Sequence, residues 1–374
     1  MGCLAGAAVG DALGGATEGW PSDAIRARYG GWVTDLVPAF EADVPAGRRY
    51  SRYLKGDGRI TDDTIMTLAL VQVYAALGRH LDAFDVAEHL VPILLKERRW
   101  IPDMETEDIP LQRLFLAEKW LVARLHHGHI DPREGGVGNI VNCGAAMYMA
   151  PVGLANAGDP ERAYAEAIDL TGAHQSSYGR EAAGVMAAAV AAAMQPDATA
   201  DRVVEACLDL ARDGTRSAIA DVAACARALP PTNDDWDAVL PALRAAIAPW
   251  DSVGPAYREP GLDARRPSRI RAIEELPVAL GLLLATGGAY RPAVLGAANY
   301  GRDADSIAAM AGAVAGALGG LESVPLAWRT TVTTASRIDA EAAGRSMADV
   351  ARRIRSDDAA REERRRAVHA ALDA

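Results

Sequence analysis

Nowhere in this chain do apolar and polar residues alternate over a stretch long enough to build a sheet. The apolar residues fall instead into runs at helical spacing, as in Phe84, Ala87, Leu90, Val91 and Leu94. Ala and Gly abound, only three Phe occur, and aromatic residues make up 5% of the 374. A core of Ala, Leu and Val suits closely packed helices better than strands. The expectation is an all-α fold. Its helices run over residues 1–15, 62–78, 82–99, 145–150, 158–171, 181–194, 200–212, 215–228, 236–248, 270–286, 290–298 and from the second acidic cluster to about 318. Gly2, Gly6 and Gly10 share one face of the first, which permits close helix packing; Asp11 ends the segment before Gly14-Gly15.

Two short acidic stretches stand at the heads of apolar helical runs. Thr61-Asp62-Asp63-Thr64 precedes Ile65–Val71, and Asp303-Ala304-Asp305-Ser306 precedes Ile307–Val314. An acid or hydroxyl in a first helical turn caps free N–H groups and offsets the helix dipole. One cap suffices, and each of these starts carries a cluster. Carboxylates brought together repel and raise one another's pKa unless a cation sits among them. Oxygen donors of this kind suit Mg²⁺, Mn²⁺ or Ca²⁺ and argue against a thiolate zinc site.

Other segments are weaker signals. Glu18 lies in a loop, where a solvated side chain is the ordinary outcome. Residues 133–144 are the most Gly-rich in the chain and lead into a helix that Pro151 ends; such a turn can cradle a phosphate, but no Gly-Lys-Ser/Thr follows. His174 stands at a loop–helix junction, where a structural hydrogen bond is the commoner role. Segment 100–111 reads as an exposed acidic loop that can cover a site, as can loop 249–268. The four cysteines form no paired framework and read as free thiols in a reducing, cytoplasmic setting. A net charge of −11 excludes binding driven by nucleic-acid phosphates, and no run is apolar enough to span a membrane. Beyond 340, Arg alternates with Asp and Glu, as in a solvated helix or frayed end.

Four blocks together resemble the ADP-ribosylglycohydrolases: Gly2-Cys3-Leu4-Ala5-Gly6-Ala7-Ala8-Val9-Gly10-Asp11-Ala12-Leu13-Gly14, Thr61-Asp62-Asp63-Thr64, Asn142-Cys143-Gly144-Ala145-Ala146-Met147 with Ala150–Leu154, and Gly301–Ala308 running on through Gly312, Gly316 and Gly319. They occur in the family's order. The resemblance implies an orthogonal multi-helix bundle over 1–325, with 326–374 a charged helical extension packed on it or frayed from it. It implies hydrolysis at ribose C1 of an ADP-ribosyl or related ribosyl compound, small molecule or modified protein. It also implies two Mg²⁺ or Mn²⁺ ions held by Thr61, Asp62, Asp63, Asp303, Asp305 and Ser306. Glu18, Asp62 and Asp303 become the catalytic candidates. Asn142, Cys143, Gly144, Tyr148, His174 and Tyr178 become the substrate-binding candidates, with Arg180 beside them. The sequence departs from the family's pattern at Asn142, Cys143, Tyr148, Arg302 and Ser306. These departures leave open a nucleoside or other N-riboside substrate; a non-catalytic, crystallin-like role is a separate alternative, against which stand the four Asp and both hydroxyls that the chain keeps.

Overall fold

The computed structural model describes residues 1–251, 254 and 272–373. It is all-α apart from one small hairpin among those residues. Seven helices organise the site: α1 (Gly2–Gly15), α2 (Asp62–Leu77), α3 (Ser177–Ala193), α4 (Glu275–Ala285), α5 (Tyr290–Tyr300), α6 (Ala304–Gly319) and α7 (Ala340–Leu372).

Every residue of α1 is buried. A helix apolar on all sides belongs in the centre of a core, and α1 packs there against α6, its most extensive partner. A Cβ built on Gly2 would stand 2.3 Å from the Gly316 carbonyl oxygen, and one on Gly6 2.3 Å from that of Gly312. At Gly10 and Gly14 the same atom would stand 2.1 Å from the carbonyls of Ala308 and Ala304. The two helices therefore run antiparallel with backbones in contact, a distance only small residues allow. The stripe legible in the sequence thus extends to Gly14. Asp11 does not end the helix; it is a buried carboxylate inside it.

The remaining elements pack around this pair. Ala-rich α3 is buried along most of its length, and α5 crosses both α1 and α6. The first half of α7 buries Ala340, Gly344, Met347, Val350 and Ile354 at helical spacing and packs on α1 and α2. Beyond Asp358 every described residue of α7 is exposed.

Some local expectations change. The helix expected over 82–99 is a short turn, a π-helical turn Val86–Leu90 and Val91–Lys96, with Pro92 in the last segment's first turn. The end of that expected helix and the loop expected over 100–111 form strands β1 (Arg99–Ile101) and β2 (Thr106–Asp108), paired antiparallel, with Glu105 of the connecting turn in the left-handed region. Pro151 does not end a helix. It starts one, Ala150–Ala155, and the preceding Cys143–Tyr148 is 3-10. Most of loop 249–268 lies outside the described residues. No described helix is long and apolar enough to cross a membrane, and all four cysteines are free.

Candidate metal centre and its cavity

The antiparallel α1–α6 contact sets the last two turns of α1 beside the first turn of α6, and so Asp11 beside Asp305. Asp11 then reaches to the start of α2. Its carboxylate accepts from the Thr61 amide (3.0 and 3.1 Å), the Thr61 hydroxyl (2.7 Å), the Thr64 amide (3.1 Å) and the Thr64 hydroxyl. A side chain of one helix thereby satisfies the orphan N-terminal donors of another, and the two acidic stretches meet. Carboxylate oxygens of Asp11, Asp63 and Asp305 lie within 4.8 Å of one another, as do those of Glu18, Asp303 and Asp305.

Such crowding shows in the acid–base character of the site. Burial, then the Asp305 carboxylate, pushes Asp11 up to about 7 despite its hydrogen bonds from Thr61 and Thr64. Burial first, then Asp305, Asp11, Asp62 and Asp303, drives Asp63 well above the usual carboxylate range. Asp303 is driven the same way by burial, Glu275 and Asp305. Burial also works to raise Asp305, but the Lys55 ammonium and a hydrogen bond shared with Asp303 hold it below its ordinary value.

The loop carrying Glu18 is fixed to the second acidic stretch. The Gly19 amide donates to the Arg302 carbonyl at 2.7 Å, and the Arg302 amide to the Trp20 carbonyl at 2.9 Å. Gly301 adopts φ +74°, and a Cβ there would lie 2.0 Å from the Trp20 carbonyl, so this close approach requires glycine. Arg302 itself points away, to Glu274 at 2.8 Å and Asp251 at 3.0 Å. Glu18 pairs with Lys55, which also lies 3.2 Å from Asp305.

The central turn contributes a third side. The Asn142 side-chain oxygen caps it, accepting from the Gly144 amide (3.1 Å) and from Gln175 (2.9 Å). The Cys143 thiol donates to Asp303 at 3.2 Å and faces Ser306 at 3.6 Å, with Glu275 alongside. Burial, then Asp303, pushes that thiol well above its usual pKa.

These groups form the floor of one cavity of ≈ 680 Å³. Glu18, Asp62, Asp63, Asn142, Cys143, Gly144, Asp303, Asp305 and Ser306 all border it; Thr61 is fully buried behind Asp63. Tyr148, His174 and Tyr178 do not border it. Tyr148 and His174 are buried, joined by a 3.0 Å hydrogen bond between the phenol oxygen and Nδ1, and Tyr178 packs partly buried on the core. Arg180 turns away to the Ile168 carbonyl.

The structure adds wall residues that the sequence did not mark. Arg113 joins Asp62 (2.9 Å) and Asp103 (2.6 Å). Glu118 lies under Gly144 and 3.4 Å from His174 Nε2. Arg49, Arg52 and Lys119 also line the cavity, as do Trp20 and Phe40, which stack at 3.7 Å. Only Asp11 carried a sequence signal, as a lone charge in an otherwise uncharged helix.

The floor fits a hard cation. Its donors are chiefly carboxylate and hydroxyl oxygens, and the buried Asp63 Oδ1 has no hydrogen-bond partner. A buried acceptor left unpaired is costly unless something outside the chain completes it.

Comparison with known proteins agrees with this architecture. The model of the family described as ADP-ribosylglycohydrolase matches residues 1–362. The chain is 27% identical to ADP-ribosylhydrolase ARH3 of Mus musculus, over 88% of this chain and 85% of that one. It is 26% identical to ADP-ribosylarginine hydrolase Tri1 of Pseudomonas putida (strain GB-1), over 90% and 75%. It is 24% identical to the uncharacterized protein YegU of Escherichia coli (strain K12), over 91% and 93%. A solved ADP-ribosylglycohydrolase-related protein complex shares the fold, with TM-score 0.56 and 21% identity over 94% of this chain and 96% of that one. The chain belongs to the ADP-ribosylglycohydrolase family and is a hydrolase.

Proposed function

We propose that the cavity cleaves the bond between ribose C1 and the leaving group of an ADP-ribosyl compound at a divalent metal centre. The observation that carries this reading is the polarity of the cavity. Its floor gathers Asp63, Asp303, Asp305 and Ser306, while Arg49, Arg52, Arg113 and Lys119 line the wall of a chain whose net charge is −11. A floor of that kind takes a hard cation, and such a wall takes a diphosphate. A neutral nucleoside has no use for so many wall cations, so the reading favours a phosphate-bearing substrate.

When bound, Mg²⁺ or Mn²⁺ supplies polarisation of the ribose hydroxyls and orientation of water. Asp63, Asp303, Asp305 and Ser306 would hold it. Asp62, with one oxygen fixed by Arg113, presents a carboxylate to the cavity and accepts the proton of the attacking water. Glu18 and Asp303 face the same space and stabilise positive charge developing at C1. The Trp20–Phe40 stack offers an aromatic surface to the base.

A hydrolysis screen tests the reading with ADP-ribosyl-arginine, ADP-ribosyl-serine, ADP-ribose derivatives and simple nucleosides, each with Mg²⁺ or Mn²⁺ and with EDTA. EDTA-sensitive release of ADP-ribose is expected. Cleavage of nucleosides alone, or no turnover with metal bound, overturns it.

A further inference from the structure

Lys55 is a lysine in an unusual place. It is 8% exposed, comes from an irregular loop, and sets its ammonium between Glu18 and Asp305. Those two carboxylates and Asp303 form one of the oxygen groups tight enough to hold a cation. The side chain has not merely drifted there from the surface. Its neighbour Leu54 donates its amide to the Asp103 carbonyl at 2.8 Å, and its other neighbour Gly56 bridges to Pro38 and Arg59. Gly56 holds φ +91°, and a Cβ there would lie 2.5 Å from the Ala39 amide nitrogen, so the backbone at this point admits little else. The aliphatic stem lies over Gly15 at the end of α1, where a Cβ would stand 3.7 Å from that of Lys55. Both ends of the side chain are therefore built: the stem has a glycine to lie on, and the ammonium has two anions.

We infer that Lys55 is a tethered cation that fills one of the two cation positions of this centre, so that the chain binds a single divalent ion. The inference rests on the divalent centre proposed above and changes its composition. An ion bridging Glu18 and Asp305 would occupy the space of the Lys55 ammonium, and the two positive charges repel at such a separation. Arg113, the wall cation beside Asp62, is committed to Asp62 and Asp103. Asp63, with its unpaired buried oxygen, and Asp303 remain for the divalent ion.

The test counts ions rather than turnover. Equilibrium dialysis with Mn²⁺, read by electron paramagnetic resonance of the free ion, gives the number bound per chain at saturation. The wild-type protein is expected to bind one. Lys55→Met keeps the stem, removes the charge and is expected to bind two; Lys55→Gln is the second neutral variant should the first fail to fold. Two ions in the wild-type protein, or one ion in both wild type and a folded neutral variant, overturn the inference and leave the metal centre standing. No Mn²⁺ in either protein overturns both the inference and the centre on which it rests.

Discussion

Glu166 and Asp63 are both buried carboxylates, and the molecule treats them in opposite ways. Glu166 accepts from the Tyr74 hydroxyl at 2.7 Å, the Leu81 amide at 2.9 Å, Asn156 at 2.6 Å, and the His80 ring. Burial works to raise it, yet these partners hold it below the ordinary value for glutamate. Glu274 is likewise enclosed by chain donors, from Arg244, Tyr300 and Arg302, although burial there still raises it above its ordinary value. Asp63 is equally enclosed, but its near neighbours are Asp11, Asp62, Asp303 and Asp305, and one of its oxygens is unpaired. A carboxylate with its donors supplied by the chain serves the fold. A group of them with donors withheld is prepared for a ligand from outside, and the fold tolerates the repulsion for the sake of the site.

The comparison can be broken most forcefully by exchanging what each cluster is asked to do. Asp303→Asn should lower hydrolysis by about 100-fold or more and abolish Mn²⁺ binding, while metal-free melting stays level or rises because repulsion is relieved. A metal-free melting point that falls sharply would make Asp303 a structural residue like Glu166. The converse variant, Glu166→Ala, leaves four donors without an acceptor and should cost about 3 kcal/mol, with kcat of the remaining folded enzyme unchanged; chemical denaturation and steady-state kinetics read the two effects.

Saturating Mn²⁺ should stabilise the wild-type chain by about 2.7 kcal/mol at a hundredfold excess over Kd, and Glu166→Ala by the same increment. The Asp303→Asn chain should show none. Melting curves with and without EDTA decide this. Gly10→Ala should cost about 1–3 kcal/mol, because its Cβ would press on the Ala308 carbonyl and part α1 from α6. Since that contact also sets Asp11 beside Asp305, Mn²⁺ affinity should fall with stability; unchanged affinity would separate the packing from the site.

The smallest effect concerns His80. Burial opposes its charge, but Glu166 and Asp358 outweigh it and raise its pKa above 6.5. A raised histidine contributes stability that is complete below 6.5 and lost as pH climbs through its folded value. Glu166, lowered from 4.5, contributes stability lost only as pH falls below that figure. The difference in stability between wild type and His80→Gln, less than about 1 kcal/mol, should therefore be greatest between the Glu166 and His80 titrations and fade as pH rises through the raised His80 value. A difference that grows with pH would contradict the ion pair.

Much of this was legible in the residues. The helix starts at Asp62 and Ala304 were readable because capping and periodicity are local properties, settled by a few neighbouring side chains. The glycines at every fourth position announced a close helix contact. Pro151 was misread because a proline at a helix start and one past a helix end look alike until the preceding turn is known to be 3-10. Tyr148 and His174 looked like pocket residues because the resemblance set Tyr148 in the family's central motif and His174 near a histidine of its ligand cleft, but their side chains hydrogen-bond to each other outside the cavity lining. Arg113 and Glu118 sit among ordinary charged segments and carried no mark at all.

By itself, then, the sequence determined that the chain is helical, that two helix starts are overloaded with carboxylates, and that one helix must touch a neighbour along glycine. It could not say which neighbour, because a small-residue stripe specifies a distance of approach and not a partner. Only the tertiary structure decided that α1 meets α6 in antiparallel register, that Asp11 draws α2 to the same place, and that Lys55 enters between Glu18 and Asp305. Those contacts join residues far apart in the chain through packing and electrostatics that exist only once the core has closed.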